Sequence, residues 1–188
     1  MGVIVGIQAR MSSSRLPGKV LMDLGGAPMI SRVWDACSSQ FERVVLTSHD
    51  TTDDYLAAWL AGMLYGYRRG SLRDVLYRYV ALAHERSPSV LVRVCGDAPF
   101  MEKRWIWKAV EECEKTEEPV FVPGALHCGS MEDWLRCSDE TDAEDREHAG
   151  AAWFEIYGRT LNLVPQGYFS VNTKEDMEKA KKLWAAKR

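Results

Sequence analysis

At 188 residues the chain is long enough for one domain with a full core and short for two. A hydrophobic share of 46%, a charged share of 27% and a formal net charge of -3 fit an ordinary soluble globular protein and argue against nucleic acid as the main partner, since such binders carry a strongly basic face. No apolar run approaches the ~20 residues of a membrane span, and the five cysteines contain no C-x-x-C pair, so neither a disulfide framework nor a zinc site is expected. The chain enters a strand at once, without a basic leader region, and a cytoplasmic location is the expectation.

In chain order, Val3 to Gln8 is an apolar run read as a buried parallel strand. The loop that follows, to Lys19, holds Gln8, Arg10, three serines including Ser14, Arg15 and Lys19, and no acidic residue. Val20 to Leu24 reads as a short extended piece before the Gly25-Gly26 turn. Pro28 then suits the first turn of a helix whose apolar face is Met29, Ile30, Val33, Trp34 and Cys37. A second strand, Arg43 to Ser48, leads to a Thr51-x-x-Asp54 capping box and a helix to about Met63, and Leu64 to Arg68 is a weak third strand. A helix opens at Gly70-Ser71 with Leu72, Val75, Leu76, Tyr79, Leu82 and Ala83 on one face. Strand four, Ser89 to Cys95, ends at Gly96-Asp97-Ala98-Pro99, a helix runs from about Glu102 to Lys115, and strand five is Pro119 to Val122.

Beyond strand five the pattern loosens. Gly124 to Gly129 reads as loop, Ser130-x-x-Asp133 caps a short helix ending near Arg136, and Ser138 to Asp145 is acidic and exposed. Asp145 leads a helical stretch to about Tyr157. Two short strands, Leu161 to Val164 and Tyr168 to Val171, precede a capping box, Thr173-x-x-Asp176, that opens a closing helix to about Ala186. Strands alternating with helices predict an α/β fold with a mostly parallel sheet and right-handed crossovers. In such a sheet the polar ends of strands one, two and four share one edge, where ligands bind. The basic loop and Asp97 should therefore meet in one cleft, an anion site suited to a nucleoside triphosphate.

Two common phosphate motifs are absent. A Walker A loop needs G-x-x-x-x-G-K-[ST], but Ser13 stands at the first glycine and Val20 follows Lys19. A dinucleotide fingerprint needs three glycines after the strand, and the loop has Gly18 alone. What remains, Gln8-Ala-Arg-Met-Ser-Ser-Ser-Arg-Leu-Pro-Gly-Lys19, is followed in order by Leu24-Gly-Gly-Ala-Pro-Met29, Arg69-Gly-Ser-Leu-Arg-Asp-Val-Leu-Tyr-Arg78, Val92-Arg-Val-Cys-Gly-Asp-Ala-Pro99, Asp145-Arg-Glu-His148 and Val171-Asn-Thr-Lys-Glu-Asp176. This set resembles the cytidylyltransferases that activate acidic sugars, most closely their spore-coat polysaccharide SpsF-like branch. The first motif is specific, and the order of the others strengthens it.

The resemblance implies a Rossmann-like nucleotidyltransferase fold, with residues 1–188 as one domain and a shortened insertion and dimerisation region near 124–160. It implies Mg²⁺-dependent transfer of CMP from CTP to a small acidic sugar by a homodimer, for polysaccharide biosynthesis. Arg15, Lys19 and Asp97 would be catalytic, the cations stabilising charge that moves onto pyrophosphate. Gln8, Ala9, Arg10, Ser14, Arg15, Lys19, Arg69, Ser71, Asp74 and Gly96 would bind the nucleotide, and Arg78, Arg146 and His148 the acidic acceptor. Asp97 and Asn172 would hold the metal. Relatives carry aspartate at the Asn172 position, and an amide offers Mg²⁺ an oxygen without a charge. Two other readings stay open: a nucleotide-binding homologue without turnover, and a nucleotidyltransferase that uses another nucleotide or a non-sugar acceptor such as a phosphorylated alcohol.

Overall fold

A computed structural model describes residues 2–186. Seven strands form one sheet: β1 (Val3–Gln8), β2 (Glu42–Ser48), β3 (Tyr67–Gly70), β4 (Val90–Cys95), β5 (Val120–Val122), β6 (Leu126–Gly129) and β7 (Arg159–Thr160). Their order is β3-β2-β1-β4-β6-β5-β7. β1 pairs in parallel with β2 and β4, β2 with β3, and β5 with β7; β6 runs antiparallel between β4 and β5. The strand order reverses between β1 and β4, which makes that junction the place where an open α/β sheet leaves a crevice at its C-terminal edge.

Side chains alternate across the sheet and fill both faces. Val5 and Ile7 of β1, Val45 of β2 and Val92 and Val94 of β4 pack with α1 (Met29–Ala36), α2 (Asp54–Gly62) and α4 (Lys103–Thr116). Ile4, Val44, Leu46 and Leu91 point the other way, onto α3 (Val75–Arg86), α5 (Met131–Glu140) and α6 (Ala151–Tyr157), where Tyr79, Trp134, Trp153 and Phe154 are buried. A third cluster joins the first loop to the end of the chain: Leu16, Leu24 and Met29 meet Val171 and, from α7 (Lys174–Ala186), Met177 and Ala180. Cys37 and Cys113 are buried core residues.

Several sequence expectations need correction. Gly124 to Gly129 is not a loop: after a tight turn over residues 123–125, β6 forms and fills the space between β4 and β5 with four buried residues. Leu161 to Val164 is not a strand. The pairing with β5 is over by Thr160, and Leu161, Leu163 and Val164 are half-buried against the core instead. Tyr168 to Val171 makes no ladder either, because it crosses the end of β4, where the Val171 amide donates to the Asp97 carbonyl at 2.8 Å. Val20 to Leu24 is not extended; a left-handed Gly18 (φ 72°) throws Lys19–Leu21 into a 3₁₀ turn. α3 starts at Val75 rather than Ser71, since Asp74 is the cap that accepts from the Tyr77 amide at 2.9 Å. α2 follows a 3₁₀ turn capped by Asp50, and α5 reaches Glu140. The boxes at Ser130–Asp133 and Thr173–Asp176 form as read, each with reciprocal hydrogen bonds.

Candidate active site

A cavity of about 250 Å³ opens at the C-terminal ends of β1 and β4. Gln8, Ala9, Arg10, Ser13, Ser14, Arg15 and Lys19 line it from the first loop, Arg93, Cys95 and Asp97 from β4 and its end, and His148 and Asn172 from later segments. The loop is shaped by its own backbone. The Gly18 amide closes onto the Met11 carbonyl at 2.8 Å, and the left-handed Gly18 turns Lys19 inward. Gly96 is buried where a side chain would not fit: a Cβ there would stand 2.9 Å from the Gln8 carbonyl oxygen.

Lys19 is buried, and its ammonium has all three donors engaged. Nζ donates to Asp97 Oδ2 at 2.5 Å, to the Val171 carbonyl at 2.8 Å and to Asn172 Oδ1 at 3.0 Å. Three hard oxygens from three backbone positions thus converge on one cation. This donor chemistry also fits Mg²⁺, which uses one or two carboxylates and completes its shell with phosphate oxygens and water. Among the described residues no group of three or more His, Cys, Asp or Glu could hold a metal. A metal at Asp97 and Asn172 would therefore share its coordination with a ligand.

The other loop cations differ. Arg10 donates to Glu147 Oε1 at 2.9 Å, bridging the loop to the 3₁₀ turn Asp145–His148, while Arg15 and Ser14 are exposed. Burial pushes the Cys95 thiol up, so Cys95 is a neutral wall rather than a thiolate.

Not every residue that the resemblance assigns to ligands sits here. Arg69, Ser71 and Arg78 line a separate cavity of about 410 Å³ beside β3 and α3. Arg69 donates to the carbonyls of Ser48 (2.6 Å) and Asp50 (3.1 Å) and to Asp54 Oδ1 (2.6 Å). Arg78 is buried, with its head on the carbonyls of Ser71, Leu72 and Leu46, and burial lowers its pKa. Asp74, besides capping α3, accepts from Arg146 Nε at 3.0 Å, and Arg146 also donates to the Ser138 carbonyl at 2.8 Å. These four, Arg69, Arg78, Asp74 and Arg146, tie backbone segments together around the site.

A cytidylyltransferase family model matches residues 4–166, most of the chain and nearly all of the site. The chain belongs to the cytidylyltransferase family. It is 41% identical over 103 residues to the spore coat polysaccharide biosynthesis protein SpsF of Bacillus subtilis; the match takes in 51% of this chain and 43% of that protein, so the chain spans under half of that relative's length. In fold, this cytidylyltransferase resembles a cytidylyltransferase of Leptospira borgpetersenii (TM-score 0.87, 22% identity, 99% of this chain and 87% of that one). It also resembles a CMP:2-keto-3-deoxy-manno-octonic acid synthetase complexed with CTP (TM-score 0.75, 18% identity, 100% of both chains).

Arg93, which lines the cavity, and Asp53, which holds its basic loop, escaped the sequence reading. Arg93 sits within the buried run Val90-Leu-Val-Arg-Val94, and its Nε donates to Gln8 Oε1 at 3.1 Å. A charge inside an otherwise apolar strand was the signal. Asp53 is fully buried; Oδ1 accepts from the Met11 amide at 2.6 Å, and Oδ2 accepts from the Ser48 amide at 3.1 Å and from the Ser48 hydroxyl. It pins the basic loop to the end of β2. Nothing in the local sequence separates Asp53 from the half-buried Asp50 and the exposed Asp54.

Proposed function

We propose that this cytidylyltransferase transfers CMP from CTP to an acidic sugar and releases pyrophosphate, with Mg²⁺ at Asp97 and Asn172. The observation that carries the proposal is the cavity at the β1/β4 junction, where an acid-free basic loop faces Asp97 and Asn172. In the reaction an acceptor hydroxyl gives up its proton to solvent as its oxygen bonds to the α-phosphorus of CTP. The bond from that phosphorus to the α,β-bridging oxygen breaks, and pyrophosphate leaves with the electron pair. Arg15 and Lys19 place positive charge where the leaving group gains negative charge, Arg15 by a planar fork and Lys19 as a point charge. Lys19 reaches the phosphates by exchanging one of its three oxygen partners for a phosphate oxygen. The metal supplies charge neutralisation on the phosphates. Gln8 and the Ala9 backbone face the base. His148, at the exposed rim, faces the acidic acceptor, and Arg78 and Arg146 serve by holding the backbone around it.

A comparison of melting temperatures with CTP, UTP, GTP and ATP in Mg²⁺ tests the nucleotide. A ligand at about a hundredfold excess over its Kd stabilises the native state by about 2.7 kcal/mol, which for a chain of this size moves Tm by roughly 5–10 °C. CTP should give the largest shift. An equal response to all four nucleotides would remove the CTP assignment.

One observation favours a second reading, CTP binding without turnover. Lys19 already fills the oxygen set, and Asn172 adds no charge to draw a metal in its place. On that reading CTP raises Tm, yet no sugar acid releases pyrophosphate.

A further inference from the structure

We propose that Arg93 is a positioning residue: it fixes the Gln8 carboxamide with its amino group toward the nucleotide base, with His127 bracing Arg93 from behind. The inference rests on the reading of the cavity as a CTP site and extends it to how cytosine is told from uracil.

On β4, Arg93 stands opposite Gly6 of β1 on one side and His127 of β6 on the other, and Gln8 lies two residues beyond Gly6 on the same sheet face. Neighbours on that face are apolar: Ile4 and Leu91 are in the core with Tyr79 and Trp134. A guanidinium in such a row needs acceptors, and the structure provides two. Nε donates to Gln8 Oε1 at 3.1 Å, and Nη1 lies 3.4 Å from His127 Nδ1.

Hydrogen-bond chemistry then fixes both partners. Arginine has donors only. The Gln8 atom facing it must be the carbonyl oxygen, which turns the amino group away from Arg93. The His127 atom facing it must be an unprotonated nitrogen, which puts the ring proton on Nε2. His127 is buried, stacked on Phe154 (centroids 5.1 Å, planes 15° apart) and flanked by Phe121 at 5.4 Å, so the ring that holds Arg93 is itself held.

Gln8 therefore offers the ligand donors. Cytosine carries two adjacent acceptors on its pairing edge, O2 and N3; uracil carries a donor at N3. A Gln8 free to flip would present its oxygen to the uracil N–H equally well. Arg93 forbids the flip and so sets the preference.

The test is the ratio of CTP to UTP dissociation constants with Mg²⁺, measured calorimetrically. Arg93→Gln, which offers both a donor and an acceptor, should lower the preference for CTP about tenfold, the worth of one good hydrogen bond. Arg93→Lys, again donor-only, should keep most of it. A merely structural role would weaken both nucleotides equally and leave the ratio unchanged in both variants, and that result would overturn the proposal. A second measurement needs neither a variant nor a nucleotide. ¹⁵N NMR of the wild-type protein should show His127 with Nδ1 bare and Nε2 protonated; protonated Nδ1 would contradict the arrangement. Should the wild type bind neither nucleotide, the CTP reading fails, and the NMR result still decides whether Arg93 and His127 are arranged as argued.

Discussion

At Lys19 one ammonium serves three oxygens, and the side chains of Lys19 and Asp97 are only 8% and 22% exposed. Removing the cation leaves a carboxylate partly desolvated and alone. Lys19→Met should destabilise the protein by about 1–3 kcal/mol, read from urea unfolding, the lower end reflecting the solvent that reaches Asp97. It should also weaken CTP binding by about tenfold to a hundredfold, the range for a charged hydrogen bond. Unchanged CTP affinity would take Lys19 out of the nucleotide site. Asn172 is the converse case. Asn172→Asp adds a carboxylate beside Asp97, and divalent affinity in the presence of CTP should rise about tenfold because ligand charge sets it. Titration with Mn²⁺ followed by paramagnetic resonance reads this out, and an unchanged constant would mean that residue 172 is no ligand. Both residues lie in motifs visible in the sequence. What the sequence did not contain is that Lys19 and Asn172, 153 positions apart, touch each other.

The start of α7 carries the site's far wall. Asp176 Oδ2 accepts from the amides of Asn172 (3.0 Å) and Thr173 (2.9 Å), and Thr173 Oγ1 accepts from the Asp176 amide (3.1 Å). The helix cap therefore also sets the backbone angle from which Asn172 reaches Lys19. Asp176→Ala should cost about 1 kcal/mol of stability, as capping residues do, and should weaken CTP binding besides, although the residue does not line the cavity. If CTP binding in that variant matched the wild type, the coupling between cap and site would be absent. This cap was legible because a Thr-x-x-Asp box before an apolar period is a local signal. β1 was legible for the same reason, and its bounds, Val3 to Gln8, came out as read. β6 was not: it has four residues, one of them histidine and one glycine, and only the gap between β4 and β5 makes it a strand. Tyr168 to Val171 misled in the opposite sense, since its apolar residues are used for docking across strand ends.

For the whole molecule, two cores on opposite sheet faces carry most of the burial, and a histidine, His127, is sealed against the second, stacked on Phe154. Burial, and then the charge of Arg93, hold the His127 pKa well below the usual histidine range. Below about pH 6.5 the unfolded chain takes up a proton at this position that the folded chain refuses. Stability should therefore fall with decreasing pH, by up to about 1.4 kcal/mol per pH unit. Carboxylates add their losses lower down: hydrogen bonds from Arg68 hold Glu85 at about 2, and backbone amides hold Asp176 below its usual value. Those contributions are present above the ordinary carboxylate range, begin to fall within it, and are gone only once pH has dropped through the lowered folded values. Urea unfolding between pH 7.5 and 5.5 thus isolates the histidine, and His127→Phe should flatten the dependence; the same slope in the variant would place the proton uptake elsewhere. The α/β class and the site's sheet edge followed from the alternation of elements, because parallel strands put their polar ends together. Arg93 left a trace in the sequence, a charge inside an apolar strand, but its partners Gln8 and His127 are remote, and Asp53 could be told from its aspartate neighbours only once the chain was folded. Transfer itself is read by pyrophosphate release from CTP and Mg²⁺ over a panel of sugar acids, with and without each acceptor. Release should require both CTP and one class of sugar acid, and Asp97→Asn should abolish it. No release across the panel, from a protein that does bind CTP, would contradict the transferase assignment.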